Sequence, residues 1–231
     1  MTAQLNNAST PLGIMGGAFD PVHFGHLRSA LELQVALQLG ELRFVPSANP
    51  PHRPPHFVSP ELRVRMLEAA IDERPGWAID KRELNREGPS WSFVTLQELR
   101  TEIPSRSICL LLGMDAFLGL PTWHRWEELV DLAHIVVASR PGSSLPQDGV
   151  LGALLAERAT ENPQDLHTQA AGKVFLQEVT QLEISSSLIR RHIENGMSAR
   201  YLVPDRVLKI MADNGCYITD TASTREQGLH A

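Results

Sequence analysis

Eleven residues near the N-terminus, Gly16-Gly17-Ala18-Phe19-Asp20-Pro21-Val22-His23-Phe24-Gly25-His26, combine the residue types and spacing best suited to chemistry in this chain. They follow a short apolar run, Leu12 to Met15, and read as a strand, a tight glycine turn and a helix whose first turn presents two histidines. Glycines let backbone approach a phosphate closely, and helix-terminal N–H groups point at it. Imidazoles add hydrogen bonds, or positive charge, where negative charge builds up. The pattern predicts an anion site. An ordinary strand-turn-helix with two surface histidines is the plainer reading, and the density of Gly-Gly, Asp-Pro and His-x-Gly-His argues against it.

A second candidate lies near the other end, at Ile184-Ser185-Ser186-Ser187-Leu188-Ile189-Arg190-Arg191. The serines suit a helix cap, and the helix is expected to run to about Asn195 with Gly196 as its stop. Ser186 or Ser187 and Arg190 would then stand near the helix N-terminus, where a phosphate can bind. Alone, this segment reads equally well as a plain cap. Beside the histidine segment it suggests two helix N-termini facing one polyphosphate.

The elements that must position these residues alternate along the chain. Leu12–Met15, Leu42–Val45, Trp77–Ile79, Ile108–Leu112, Ile135–Ala138 and Val174–Leu176 read as strands. Leu27–Leu39, Pro60–Asp72, Ser92–Glu102 and Trp126–Leu132 read as helices. Such alternation implies a parallel sheet with helices on both faces and ligands beyond the strand C-termini. The dinucleotide fingerprint Gly-x-Gly-x-x-Gly does not occur, nor does a Walker A lysine loop. Pro46 to Pro60, with Pro50, Pro51, Pro54 and Pro55, cannot be helical and is a candidate binding loop. Arg140 to Gly149 reads as a second loop, and the polar stretch 219–231 as a flexible tail.

The 231 residues, 42% of them hydrophobic, suit one α/β domain over residues 1–218, with a small helical part at about 184–218. A formal charge of −6 argues against a general nucleic-acid binder while leaving room for a local cationic pocket. Cys109 and Cys216 form no paired motif, so neither a thiolate metal cluster nor a disulfide framework is expected. His23 with His26, or His52 with His56, could space a zinc ion, but no further ligand completes either set. No metal site is therefore expected on the chain. His124, His134, His167, His192 and His230 have no readable chemical context. With no signal peptide and no long apolar run, a cytoplasmic protein without membrane contact is expected.

From about Leu12 to Tyr217 the chain resembles the bacterial nicotinate-nucleotide adenylyltransferases of the His-x-Gly-His nucleotidyltransferase superfamily. The resemblance rests on Gly16 to His26, on Pro46-Ser47-Ala48-Asn49-Pro50-Pro51-His52-Arg53, on Leu112-Gly113-Met114-Asp115, on Trp123-x-x-Trp126, on Ile184 to Arg190 and on Leu202-Val203-Pro204. The phosphate motifs are shared across the superfamily; the proline loop and the tryptophan pair narrow it to the pyridine-nucleotide branch.

This resemblance implies a Rossmann-like fold and transfer of the adenylyl group of ATP to nicotinate mononucleotide, in NAD biosynthesis. It implies that His23 and His26 contact the ATP phosphates, with His26 stabilising the transition state. Ser186, Ser187 and Arg190 would grip the triphosphate, and Ile184 would border it. Gly16, Gly17 and Phe19 would shape the floor. On the mononucleotide side it implies His52 and Arg53 at the phosphate, Asp115 near the ribose, Trp123 as a stacking platform, and Trp91 and Ser92 beside the pyridine. His52 and Arg53 also read as a solvated basic loop, and Asp115 as the cap of a helix over Ala116–Leu120. Mg²⁺ would enter with ATP, held mainly by substrate and water. A homo-oligomer is left open.

One departure stands out. Where the family commonly has Ser-Tyr-Thr-x-Asp-Thr-Leu, this chain has Ser90-Trp91-Ser92-Phe93-Val94-Thr95-Leu96. Val94 removes a carboxylate near the pyridine pocket, so a nicotinamide-nucleotide or dual-specificity enzyme is an alternative. A phosphopantetheine or alcohol-phosphate nucleotidyltransferase has no use for the tryptophan pair. A non-catalytic nucleotide sensor on the same fold remains a different class.

Overall fold

The computed structural model describes residues 10–49, 56–72 and 74–218. In chain order its elements are β1 (Leu12–Gly17), α1 (Phe24–Ala36), β2 (Glu41–Pro46), α2 (Pro60–Ile71), β3 (Trp77–Ile79), α3 (Arg82–Asn85), α4 (Ser92–Glu102), β4 (Ile108–Gly113), α5 (Met114–Leu118), α6 (Leu129–Leu132), β5 (His134–Ser139), α7 (Gly149–Arg158), β6 (Ala159–Thr160), α8 (Asp165–Thr168), β7 (Val174–Glu178), α9 (Ser186–Glu194) and α10 (Asp205–Asp213). The seven strands form one sheet in the order β3-β2-β1-β4-β5-β7-β6. Every pairing is parallel. The expected parallel α/β sheet flanked by helices is found.

Strands in such a sheet are buried on both faces, which is why they read as apolar runs. Successive side chains point to opposite faces. Cys109, Leu111, Val136 and Ala138 join one core with Leu33 of α1, Met66 and Leu67 of α2, Ile189 of α9 and Val207 of α10. Ile108, Leu110, Leu112, Ile135 and Val137 join the other with Leu96 of α4, Phe117 of α5, Leu129 of α6 and Leu155 of α7. The chain reverses direction across the sheet between β1 and β4. In open α/β sheets that switch point opens a crevice at the strand C-termini. Gly16 and Gly17 end β1, and Gly113 ends β4, at that crevice.

Several boundaries differ from those expected from sequence. Helix α1 starts at Phe24, three residues before the apolar periodicity begins. Its first turn faces the crevice, and the Phe24 N–H is held by the distant Leu202 carbonyl at 3.0 Å. It also stops at Ala36, and Gln38 takes a left-handed φ of 50°. The helix expected at Ala116–Leu120 begins at Met114 and is capped by Gly113, so Asp115 lies within its first turn and is not the cap. Trp126–Leu132 splits into a 3-10 turn (Trp126–Glu128) and α6, entered from Arg125 at a left-handed φ of 53°. Helices α3, α7 and α8 and the two-residue edge strand β6 have no counterpart among the elements expected from sequence.

Candidate active site

The turn that leaves β1 is held open at its tip and clamped at its base. Gly16 has room for a side chain, but a Cβ on Gly17 would meet the Phe19 ring at 3.1 Å. Phe19 adopts a left-handed φ of 48°, which tucks its ring inward to 1% exposure. There it meets His26 edge-on, with centroids 5.1 Å apart, and Phe44 beyond. Phe19 therefore supports the floor from beneath the histidine.

His23 caps α1 with extended backbone, and its carbonyl accepts from the His26 N–H at 3.0 Å. The two imidazoles stack, 3.7 Å between centroids and 26° between planes. His23 is only 5% exposed. Burial pushes its pKa down from 6.5 to about 4, since a charged ring would lose its hydration. Its Nδ1 is buried with no hydrogen-bond partner among the described residues. At neutral pH this ring is uncharged, and its Nδ1 is available to make a hydrogen bond. Gly25 makes the arrangement possible: a Cβ there would lie 2.9 Å from His23 Nδ1 and 3.2 Å from the Ile184 carbonyl oxygen.

The serine-arginine segment folds directly onto this turn. Ser185 caps α9, its hydroxyl oxygen accepting from the Leu188 N–H at 3.1 Å. The Ser186 hydroxyl donates to the Pro21 carbonyl at 2.9 Å. Arg190 donates through Nη1 to the Asp20 carbonyl at 2.6 Å and through Nη2 to the Ser187 hydroxyl at 3.2 Å. From below, Arg63 of α2 donates to the Ala18 carbonyl at 2.7 Å. Three donors on two helices, α9 and α2, thus fix the Ala18, Asp20 and Pro21 carbonyls of the histidine turn. The Asp20 carboxylate points inward, accepting from the Phe57 N–H and the Tyr217 hydroxyl, each at 2.7 Å.

Beside this cluster, and sharing Gly16 and Gly17 with it, opens a cavity of about 370 Å³. Trp91, Ser92, Asp115 and Trp123 all line it, as do Glu83 and His124. Trp91 stacks on His124 with centroids 3.9 Å apart and 20° between planes. The Ser90 hydroxyl oxygen accepts from the Ala48 and Asn49 N–H groups at 2.9 and 3.1 Å, tying the start of the proline segment to this wall. Burial pushes the Glu83 carboxyl above the usual carboxylate range, although Thr95 Oγ1 donates to it at 2.7 Å. Val94, at the position of the family's aspartate, packs against the core beneath α4. Trp91, not residue 94, is the cap of α4.

The candidate residues therefore fall into two adjoining groups, a histidine-serine-arginine cluster (His23, His26, Ser186, Ser187, Arg190) and an aromatic cavity. His52 and Arg53 lie outside the described residues. Asp20, Phe57, Arg63, Glu83 and His124 went unnoticed as site residues. Only Asp20, inside the glycine-histidine motif, carried any sequence signal. Among the described residues no three His, Cys, Asp or Glu side chains converge to hold a metal ion, and no helix is long and apolar enough to cross a membrane.

A doubly wound parallel sheet with a glycine turn and two helix N-termini at its switch point is the architecture of a nucleotide-binding α/β protein. Residues 14–192 match the family described as Cytidylyltransferase-like. The chain is 48% identical over 207 residues to a probable nicotinate-nucleotide adenylyltransferase of Methylococcus capsulatus, covering 89% of this chain and 99% of the relative. It is 44% identical to another of that name from Aeromonas hydrophila, covering 90% and 97%. A nicotinic acid mononucleotide adenylyltransferase of Plasmodium falciparum, solved in complex with NaAD, shares the fold with a TM-score of 0.67 at 16% identity, covering 90% of this chain and 97% of that one. The chain belongs to the cytidylyltransferase-like family and, within it, to the bacterial nicotinate-nucleotide adenylyltransferases.

Proposed function

We propose that this protein transfers the adenylyl group of ATP to nicotinate mononucleotide, yielding nicotinate adenine dinucleotide and pyrophosphate, as a cytoplasmic step of NAD biosynthesis. The observation that carries the reading is the junction of the two motifs: Arg190, from near the C-terminus, lies 2.6 Å from the Asp20 carbonyl in the turn that presents His23 and His26. In the reaction a mononucleotide phosphate oxygen bonds to the α-phosphorus as the bond to the β-phosphate bridging oxygen breaks. No protein nucleophile is needed. The protein must align the reactants and offset the charge that grows on the departing pyrophosphate.

His23, His26, Ser186, Ser187 and Arg190 are placed by this proposal at the triphosphate. Gly16 and Gly17 let backbone approach the nucleotide, and Ile184 borders it. Trp123, Trp91, Ser92 and Asp115 hold the mononucleotide in the adjoining cavity, its flat rings suited to a pyridine. His52 and Arg53 would reach its phosphate. With no three-donor cluster among the described residues, Mg²⁺ enters as part of the MgATP substrate.

The test is pyrophosphate release from MgATP that depends on added nicotinate mononucleotide. In the His26→Ala protein kcat should fall by about 10² or more with the fold retained. Near-normal turnover in that variant would remove His26 from the mechanism, and mononucleotide-independent or undetectable release would overturn the reaction itself.

A further inference from the structure

Phe57 is 58% exposed, at the edge of a pocket it lines together with Val58, Leu62 and Tyr217. Its ring also has a charged partner. The ring lies under the Arg190 guanidinium, with Cζ 4.2 Å from the ring centroid. Its own backbone N–H is anchored to the carboxylate of Asp20, which is 2% exposed and also accepts from Tyr217. The ring is thus mounted on a buried hub while its face supports a cation. Arg190 is held on three sides: the Asp20 carbonyl, the Ser187 hydroxyl and the Phe57 ring. A guanidinium has five N–H donors in one plane, and the two hydrogen bonds made among the described residues leave others for an anion. A ring against the flat face fixes that plane without consuming a donor.

We propose that Phe57 is a positioning residue for the adenylyl transfer, fixing the plane of Arg190 so that its remaining N–H groups are aimed at the triphosphate. This rests on the placement of ATP given above. The effect of Phe57 passes through Arg190, which its ring supports. The arrangement joins the end of the proline-rich segment to the arginine of α9, elements far apart in sequence.

The experiment is a double-mutant cycle on the full chain. Phe57→Leu keeps bulk and loses the π-face; Phe57→Trp keeps the π-face. Because the ring is largely exposed, neither should disturb folding, and a thermal melt of each checks this. With saturating nicotinate mononucleotide, Phe57→Leu should lower kcat/KM for MgATP about fivefold, the size expected of one partly solvated cation–π contact. Phe57→Trp should stay within about twofold of wild type. In an Arg190→Ala background, adding Phe57→Leu should change kcat/KM by less than about twofold, because the contact is already gone. MgATP affinity by calorimetry, without mononucleotide, should follow the same pattern. Wild-type behaviour of Phe57→Leu, equal loss in the Leu and Trp variants, or an undiminished loss in the Arg190→Ala background would each overturn the proposal. Should the wild-type protein make no dinucleotide, the reaction assignment fails instead, and the calorimetric cycle still reads the Phe57–Arg190 coupling.

Discussion

Replacing His23 by Gln should remove a defined part of the acid sensitivity of folding. The imidazole is buried, and its pKa falls from 6.5 to about 4. Between those values the unfolded chain binds a proton here and the folded chain does not. Stability must then rise with pH across the window, and be lost as pH falls from 6.5 toward 4. At about 1.4 kcal/mol per pH unit, the complete shift is worth about 3 kcal/mol, reached only below the folded pKa. About 2 kcal/mol of this should already be lost between about pH 7.5 and about pH 5. Burial also lowers the pKa of His134, and ion pairs lower those of Glu41 and Asp80, so other groups add acid sensitivity. Those groups are common to both proteins and cancel in the difference. Urea unfolding of wild type and His23→Gln at the two pH values gives the comparison directly. Wild type should lose about 2 kcal/mol more than the variant. An identical loss in both would refute the claim that this ring is held neutral by burial. It would also remove the reason to treat His23 as an uncharged hydrogen-bonding group at neutral pH.

Gly25→Ala should cost about tenfold or more in kcat/KM while leaving stability nearly intact, because the new Cβ displaces His23 or the Ile184 lead-in to α9 although Ala favours a helix. Wild-type turnover would show that the two motifs tolerate separation. Arg63→Met removes a wholly buried guanidinium whose Nη1 bonds the Ala18 carbonyl, so urea unfolding should show a loss of about 1–3 kcal/mol. Unchanged stability would mean that the turn is held without it.

Much of the frame was legible because burial on both faces turns each central strand into a short apolar run. The edge strand β6 escaped, since two residues pairing with one neighbour leave no such run. Helix α7 did have a usable signal in Val150, Leu151, Leu154 and Leu155, which recur at helical spacing. The first turn of α1 lay outside the apolar periodicity and was marked only by the glycine-histidine motif, because its residues include two histidines and a glycine in place of core-facing apolar side chains. Asp115 shows the limit of reading caps from residue type. A carboxylate one residue into the helix satisfies the same preference as one that caps it.

His23, His26, Ser186 and Arg190 announced themselves through local pattern, since a glycine turn and a serine cap are conformations written into a few adjacent residues. Phe57, Arg63 and Glu83 did not, and Asp20 was visible only as part of the glycine-histidine motif; the roles of all four depend on partners such as Arg190, Ala18, Thr95 and Tyr217. Residue order can state which side chains are able to bind phosphate or stack on a pyridine. It cannot state which buried charge meets which hydrogen bond, because those pairings exist only once packing of the sheet and its helices has brought distant segments into contact and excluded water from between them.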